Sequence, residues 1–504
     1  MKYLQGQHIL ILGLGSSGLA MTRWCAQMGA DVTVADTRES PANLQVLKSE
    51  LPEVQFKSGP FSANLIQGTS VRAVFASPGL APIETLPVIE AAQAMGLWVG
   101  GELSLFVQAL ENLKATRDYA PQVLAITGTN GKTTVTALTG QLIERAGKTV
   151  KVAGNIGPTL LDTLRLSMTT ALPEVWVLEL SSFQLDNAGP FEPSAATVLN
   201  ITQDHLDWHG NMAAYAAAKE KIFGASSLMV LNRDDARVMA MLPEPVRAKL
   251  QKPVVRAHVT YGAEMPQRPG DFGLETVNGM TWLVRALEAD ETRRLRKGEV
   301  EEIHIQRLMP ADALRIRGRH NAVNALAALA LATSTGASLA SMLFGLREYK
   351  GEPHRVEPVA IVNEVEYFDD SKGTNVGATV AALLGLGAER RVVVILGGEG
   401  KGQDFSPLAE PVARYARAVV LIGRDAPLIR EEIKACGVPL IDASTLPEAV
   451  NAAKNMAQAG DAVLLSPACA SFDMFRDYPH RAQVFCQAVA EIAEAAGQVM
   501  EASL

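Results

Sequence analysis

The sequence predicts an α/β protein folded as three units, each built around a mainly parallel sheet. Short apolar strands alternate with amphipathic helical stretches over most of the chain. The 504 residues exceed what one core organises, at roughly 150 residues per domain. The alternation also restarts twice, after the polar stretch Glu111–Pro121 and after Tyr349–Pro353, which reads as a linker. The expected units are therefore 1–110, 111–352 and 353–504.

The first unit is expected to hold strands His8–Leu14, Asp31–Asp36 and Val71–Ser77. The second is expected to hold Val123–Gly128, Val150–Asn155, Glu174–Leu180 and Ala196–Ile201. In the third the alternation resumes with Arg391–Gly398, Ala416–Gly423 and Ala462–Ser466. Residues 262–312 resist the pattern. They carry Pro-Gly punctuation and a mixed charge run, Thr292–Glu302, which predicts a solvated hairpin or charged surface insertion, because such runs usually face water.

Composition bounds the function. Lys and Arg number 46 against 54 Asp and Glu, a net charge of −8, and such a field does not favour bulk binding to nucleic acid or anionic membrane, though it leaves room for a local basic cleft. The 4 cysteines form no CxxC pair, which fits a reducing compartment. The apolar stretch His8–Ala20 is interrupted by Gly13, Gly15 and Gly18 and reads as strand, turn and helix, not as a signal peptide. Ala322–Ala332 is only about half a bilayer span. The expectation is a cytoplasmic monomer without stable membrane insertion.

Two glycine-rich loops carry the chemistry. Gly13-Leu-Gly15-Ser-Ser-Gly18 follows the first strand and opens a helix, and Asp36 ends the next strand. These are the parts of a dinucleotide-binding fingerprint, whose glycines let backbone approach a pyrophosphate at a helix N-terminus. Any nucleotide diphosphate needs the same cradle, and a tight turn without ligand has the same pattern. The second loop, Gly128-Thr129-Asn130-Gly131-Lys132-Thr133-Thr134, lies between the strand from Val123 and a helix Val135–Arg145. Its N–H groups suit phosphate oxygens, Lys132 suits the β/γ-phosphates, and the Thr133 hydroxyl suits Mg²⁺. Ile126 stands where GxxxxGK[ST] requires glycine, so this is not the usual NTPase loop. His205 and His209 have zincin spacing, but Leu206 replaces the general-base Glu of HExxH, which argues against zinc catalysis and places His209 on the surface or in a loop.

GTNGKTT resembles the ATP loop of the Mur ligases and folylpolyglutamate synthetases. The resemblance continues through Ala153–Gly157, Leu178–Leu185, Asn200–Asp207, Arg319–Asn321 and Asn324–Ala328. In the third unit it continues through Asp369–Asn375 and Ser466–Asp473, which point to the D-glutamate-adding branch of the Mur ligases. Folylpolyglutamate synthetases lack a unit corresponding to Gly13–Gly18. The resemblance implies an N-terminal Rossmann-like UDP-binding domain, a central P-loop-type ATPase domain with a mainly parallel sheet, and a C-terminal Rossmann-like domain that binds D-glutamate. It implies an ATP-dependent ligase of peptidoglycan precursor synthesis. That ligase joins D-glutamate to UDP-N-acetylmuramoyl-L-alanine through an acyl phosphate.

The same resemblance implies the site. Gly128, Thr129, Asn130, Gly131, Lys132, Thr133 and Thr134 would hold the ATP phosphates. Asn324 and Arg355 would hold the adenine end, and Asp370 the ribose region. Lys132, Glu179, His205 and Lys219 would be catalytic. Two Mg²⁺ ions would be held by Thr133, Glu179, His205 and Lys219, the last as its N6-carboxylated (carbamate) form, because a carbamate offers oxygen ligands where an ammonium would repel the metal. Gly15, Ser16, Ser17, Asp36, Thr37, Arg38, Gly79 and Asn155 would contact the UDP substrate. Lys372, Thr374, Lys401, Ser471 and Phe472 would form the D-glutamate pocket, where lysines suit an amino acid with two carboxylates. Glu399 replaces the Asp of the family's Asp-Gly-Lys, and Tyr478 stands where Phe is expected. Bringing three substrates together implies closure about a hinge at Lys350–Pro353. Alternatives remain: another Mur-type or folylpolyglutamate-type amide ligase; an NAD-dependent oxidoreductase built on Gly13–Gly18, which leaves the second loop unexplained; and a nucleotide-binding regulator without turnover.

Overall fold

The structure, a computed structural model, describes residues 3–246, 254–289, 302–388 and 390–498. The first sheet contains β1 (His8–Leu12), β2 (Asp31–Asp36), β3 (Gln55–Ser58), β4 (Val71–Ala76) and β5 (Trp98–Gly100). All run parallel in the order β3-β2-β1-β4-β5. The order reverses at β1, where Ile9 pairs with Val32 on one side and Ala73 on the other. Ligands bind at such a reversal in an open α/β sheet.

The central sheet contains β6 (Gln122–Thr127), β7 (Val150–Gly154), β8 (Val175–Glu179), β9 (Ala195–Val198), β10 (Leu228–Asn232) and β11 (His258–Tyr261). It is also parallel, in the order β11-β10-β9-β6-β8-β7. β6, β8 and β9 are nearly continuous apolar runs because they are buried on both faces.

The region 262–312 differs from the expected surface insertion. β12 (Phe272–Val277), β13 (Met280–Glu288) and β14 (Ile303–Pro310) form an antiparallel meander. Its Phe272, Leu274, Leu283 and Met309 are buried in the core of the central unit with the helix Arg319–Thr333. Arg307 of β14 pairs with Glu275 of β12 at 2.7 Å. Of the charge run itself, residues 292–301 lie outside the described residues.

The third sheet contains β15 (Glu357–Val362), β16 (Val365–Asp369), β17 (Val392–Gly397), β18 (Ala416–Ile422), β19 (Leu440–Asp442) and β20 (Ala462–Leu465). The order is β15-β16-β20-β17-β18-β19, parallel except for the β15–β16 hairpin. The strands expected from sequence are all present, with ends shifted by a few residues.

The cores divide the molecule unequally. One apolar cluster runs from the first sheet into the central one. Its seam is the helix Glu102–Arg117, which passes unbroken through residue 110 and packs Phe106 edge-on against Trp176 at 5.1 Å. The third unit instead has two clusters of its own, one on each face of its sheet.

Candidate active site

β6 ends at Thr127, and the chain turns through Gly128–Gly131 into the helix Lys132–Arg145. Gly131 has φ 84°, a conformation most residues resist. A Cβ there would stand 2.8 Å from Asn324 Oδ1, so glycine also admits the Asn324 side chain. Lys132 folds back over the loop and donates to the carbonyls of Gly128 and Thr129, both at 2.8 Å. Burial lowers its pKa, while Glu179 and Asp204 favour the charged form.

The loop faces a cavity of about 260 Å³ shared by the second and third units. Thr129, Asn130, Lys132, Thr133, Asn155, Glu179 and His205 line it from one side, and Arg355, Lys372, Thr374, Asn375 and Lys401 from the other. Glu179 ends β8 and is 1% exposed. Its Oε1 accepts from Asn155 Nδ2 at 3.0 Å, and its buried Oε2 has no hydrogen-bond partner among the described residues. Arg355 crosses between the units to donate to Thr133 Oγ1 at 2.6 Å. His205 adopts φ 53° and holds Nε2 3.6 Å from Asp204 Oδ2. Burial lowers its pKa, and the nearby lysines add to the effect. His209 turns away to bond Ser182 Oγ at 3.0 Å.

Lys219 is on the helix Met212–Glu220 and lies behind the phosphate loop, 1% exposed. Its Nζ donates to Gly128 O at 3.0 Å and Thr127 Oγ1 at 3.2 Å, and stands 4.7 Å from the Tyr215 ring centre. Among the described residues no carboxylate pairs with it. Burial, then repulsion from Lys132, pushes its pKa well below the usual lysine value.

A second cavity of about 120 Å³ adjoins the first, lined by Gly131, Thr134, Asn324, Glu352, Arg355 and Asp370 among others. Asp370 is buried, and that burial pushes its carboxyl up to about 7 despite a 2.6 Å bond from Ser466 Oγ.

In the third unit Lys372 Nζ lies 4.0 Å from the Tyr478 ring centre. Burial, with Arg355 and Lys132 nearby, pushes its pKa down to about 8. Ser471 is buried, whereas Phe472 is 65% exposed with its ring 5.9 Å from Lys401 Nζ. Glu399 turns its carboxylate to Arg424 at 3.0 Å, while its backbone pairs with Ala470.

Two groups here went unassigned in the sequence reading. Tyr478 covers Lys372. Arg481, 1% exposed, donates to the carbonyls of Ser371 at 2.8 Å and Cys469 at 3.2 Å, tying together the loops that carry Lys372 and Ser471. A signal for Arg481 existed: it shares helical spacing with the buried Phe485, Val489 and Ile492.

The residues assigned to the UDP substrate fall in a different place, apart from Asn155. Gly15 precedes the helix Ser16–Gln27 at the end of β1. A Cβ on Gly13 would stand 3.1 Å from Ser77 Cβ, so the loops after β1 and β4 meet at the sheet's reversal, close to Gly79. Asp36 accepts from Leu14 N–H at 2.7 Å and from Arg38 Nε and Nη2, both at 2.8 Å. Burial opposes its ionisation, but Arg38 and the two backbone N–H groups prevail and hold the carboxyl near about 2. Ser16, Thr37 and Arg38 are exposed around it.

The chain matches the Mur ligase MurD-like N-terminal domain over residues 7–101. It matches the Mur ligase middle domain over 126–332 and the Mur ligase glutamate ligase domain over 354–469. The protein is a Mur ligase. Among relatives, the UDP-N-acetylmuramoylalanine--D-glutamate ligase of Albidiferax ferrireducens is 70% identical, covering 99% of each chain. The enzyme of the same name from Cupriavidus metallidurans is 58% identical over 98% of this chain and 99% of its own. The fold is shared with more distant Mur ligases. MurF ligase from Thermotoga maritima in complex with ADP has a TM-score of 0.56 at 16% identity, over 98% of this chain and 96% of that one. UDP-N-acetylmuramate-alanine ligase MurC from the same organism has a TM-score of 0.54 at 20% identity, over 96% and 99%. Mur ligases are ATP-dependent amide ligases, and this chain carries their three domains in order. Among the described residues no helix is long and apolar enough to cross a membrane.

Proposed function

We propose that the protein joins D-glutamate to UDP-N-acetylmuramoyl-L-alanine at the expense of ATP, as a cytoplasmic monomer of peptidoglycan precursor synthesis. The observation that carries this reading is the shared cavity, where the phosphate loop of one unit meets Arg355, Lys372 and Lys401 of the next. Two anions, the γ-phosphate and the substrate carboxylate, can react only where positive charge is concentrated and preorganised.

The division of labour follows the units 1–110, 111–352 and 353–504. The loop Gly15–Ser17 with Asp36, Thr37, Arg38 and Gly79 holds the UDP end, and Asn155 guides the substrate toward the centre. Gly128–Thr134 hold the ATP phosphates, while Asn324, Arg355 and Asp370 hold adenosine. The terminal γ-phosphoryl passes to the L-alanyl carboxylate, breaking the Pγ–O bond to ADP and forming an acyl phosphate. The D-glutamate nitrogen then attacks the acyl carbon, the C–N bond forms, and inorganic phosphate leaves as the amine loses a proton. Lys132 neutralises charge on the phosphates. Lys372 and Lys401, with Thr374, Ser471 and Phe472, orient D-glutamate. Thr133, Glu179, His205 and a carbamylated Lys219 would hold two Mg²⁺ ions, which neutralise the converging anions. The partnerless Glu179 oxygen suits such an ion. An unmodified ammonium at Lys219 does not, which is the reason for the carbamate.

The third unit's separate cores support closure about Lys350–Pro353, which follows the buried anchor Tyr349. The test of the whole reading is phosphate release from Mg-ATP with UDP-N-acetylmuramoyl-L-alanine and D-glutamate, L-glutamate or no amino acid. Release confined to D-glutamate, with the UDP-dipeptide formed, is expected. Release without amino-acid dependence would overturn it, and light scattering checks the monomer.

A further inference from the structure

Asn130 belongs to the phosphate loop, and Asn375 opens the helix Val376–Gly387 of the third unit. Their side chains form a reciprocal amide pair. Asn130 Nδ2 donates to Asn375 Oδ1 at 3.2 Å, and Asn375 Nδ2 donates to Asn130 Oδ1 at 3.0 Å. Both partners are fixed from behind. The Asn130 backbone is held by Asn200, N–H to Oδ1 at 2.8 Å and carbonyl to Nδ2 at 3.0 Å. Asn375 Oδ1 also caps its helix through Ala378 N–H at 2.9 Å.

The connection continues inward. Val376 N–H donates to Gln403 Oε1 at 3.1 Å, and Gln403 Nε2 donates to the carbonyls of Gly400 at 2.9 Å and Ala468 at 3.3 Å. Gly400 precedes Lys401, and Ala468 leads to Ser471. Hydrogen bonds, joined by the one backbone step from Asn375 to Val376, thus run from the ATP loop to two loops of the amino-acid pocket. The approach is also close: a Cβ on Gly377 would stand 2.8 Å from Thr202 Oγ1 and 3.1 Å from Asn130 Nδ2.

We propose that Asn375 and Gly377 are positioning residues that clasp the third unit to the phosphate loop, so that the D-glutamate pocket is in register only when the ATP loop is. The clasp rests on reading Lys372, Lys401 and Ser471 as that pocket. It needs a side chain at 375 with both a donor and an acceptor, since Asn130 presents one of each. Aspartate would keep the helix cap, which only accepts, and lose the donor to Asn130.

The test is steady-state kinetics of the full-length enzyme with each substrate varied, together with UDP-substrate affinity and the thermal midpoint. Asn375→Asp is expected to raise the D-glutamate KM about tenfold, the scale of one lost hydrogen bond, with UDP-substrate affinity and midpoint unchanged. Gly377→Ala is expected to show a larger KM effect, partly reversed in the Gly377→Ala/Thr202→Ala double variant because the obstructing Oγ1 is removed. A D-glutamate KM unchanged in Asn375→Asp would overturn the clasp, as would a loss that lowers the midpoint and UDP-substrate affinity in parallel. Wild-type phosphate release that ignores D-glutamate would overturn the pocket reading and the clasp together. D-glutamate-dependent release with a silent Asn375→Asp would overturn the clasp alone.

Discussion

Asn155 and Glu179 are tied twice across adjacent strands: Asn155 N–H donates to the Glu179 carbonyl at 2.8 Å and its Nδ2 to Glu179 Oε1 at 3.0 Å. The pair fixes the carboxylate and leaves Oε2 buried without a partner among the described residues. A buried carboxylate oxygen in that state is costly until a cation completes it. Glu179→Gln keeps shape and the acceptor for Asn155 but removes the charge. The Mg²⁺ concentration for half-maximal phosphate release is expected to rise about 10–100-fold, the range for disturbing a metal's ligand set, with the fold retained by circular dichroism. An unchanged Mg²⁺ requirement would remove Glu179 from the metal site.

Lys132 donates to two carbonyls of its own loop, which fixes its charge at the loop proposed to hold the phosphates. Lys132→Ala is expected to lower kcat about 10²–10³-fold, the usual loss for one preorganised charge contact. Calorimetric affinity for the UDP substrate should stay near wild type, because the loop proposed for that ligand lies in the first unit. A variant retaining half its activity would refute the role.

Much of this was legible locally. The phosphate loop, the parallel strands and the ends of β1 and β8 declare themselves through short apolar runs followed by glycine or a carboxylate. The meander at 262–312 did not. A register shift between Leu283 and Val284 breaks the alternation that would mark a half-buried strand, so the charge run is the stronger local signal. The β15–β16 hairpin lacked a signal too, since its turn places Asn363 and Glu364 at φ 50° and 63° without glycine. Tyr478 over Lys372 and the Asn130–Asn375 pair unite residues far apart in the chain. No local spacing encodes such pairs; they follow from how the third unit docks.

Lys219 is enclosed by Thr127, Gly128 and the Tyr215 ring, without a carboxylate partner among the described residues. If a carbamate is its working form, Lys219→Ala lacks oxygen ligands that a small diffusible acid can supply. The variant is expected to be inactive and to regain part of its phosphate release with short-chain carboxylic acids such as acetate or formate. Absence of rescue, together with an unmodified lysine by solid-state NMR of the wild type, would discard the carbamate.

Tyr478 offers its ring face to the Lys372 ammonium at 4.0 Å. The contact depends on the ring, not on the hydroxyl. Tyr478→Phe should therefore leave the D-glutamate KM close to wild type. Tyr478→Ala should raise it about 2–30-fold, the equivalent of ~0.5–2 kcal/mol for a cation–π contact. Equal effects of the two variants would assign the role to the hydroxyl.

Glu102 gives the seam between the first and central units a pH dependence. It opens the helix Glu102–Arg117 and accepts the Leu161 N–H at 3.0 Å across that seam. Burial pushes its carboxyl up to about 7, against the smaller opposing effect of that N–H. The folded state thus holds a proton that the unfolded chain releases near ~4.3. Below that pH both states are protonated and Glu102 contributes no pH dependence. Between the two values the folded state binds more protons, so stability falls as pH rises, and above about 7 the penalty is complete. Glu102→Gln keeps an acceptor for Leu161 and cannot ionise. Its thermal midpoint should match wild type near pH 4 and exceed it at pH 8, by a stability difference of roughly 3–4 kcal/mol. Every other titrating group is common to both proteins, so the difference between the two curves isolates this carboxyl. Parallel curves from pH 4 to 8 would show that Glu102 ionises in the fold as it does in water.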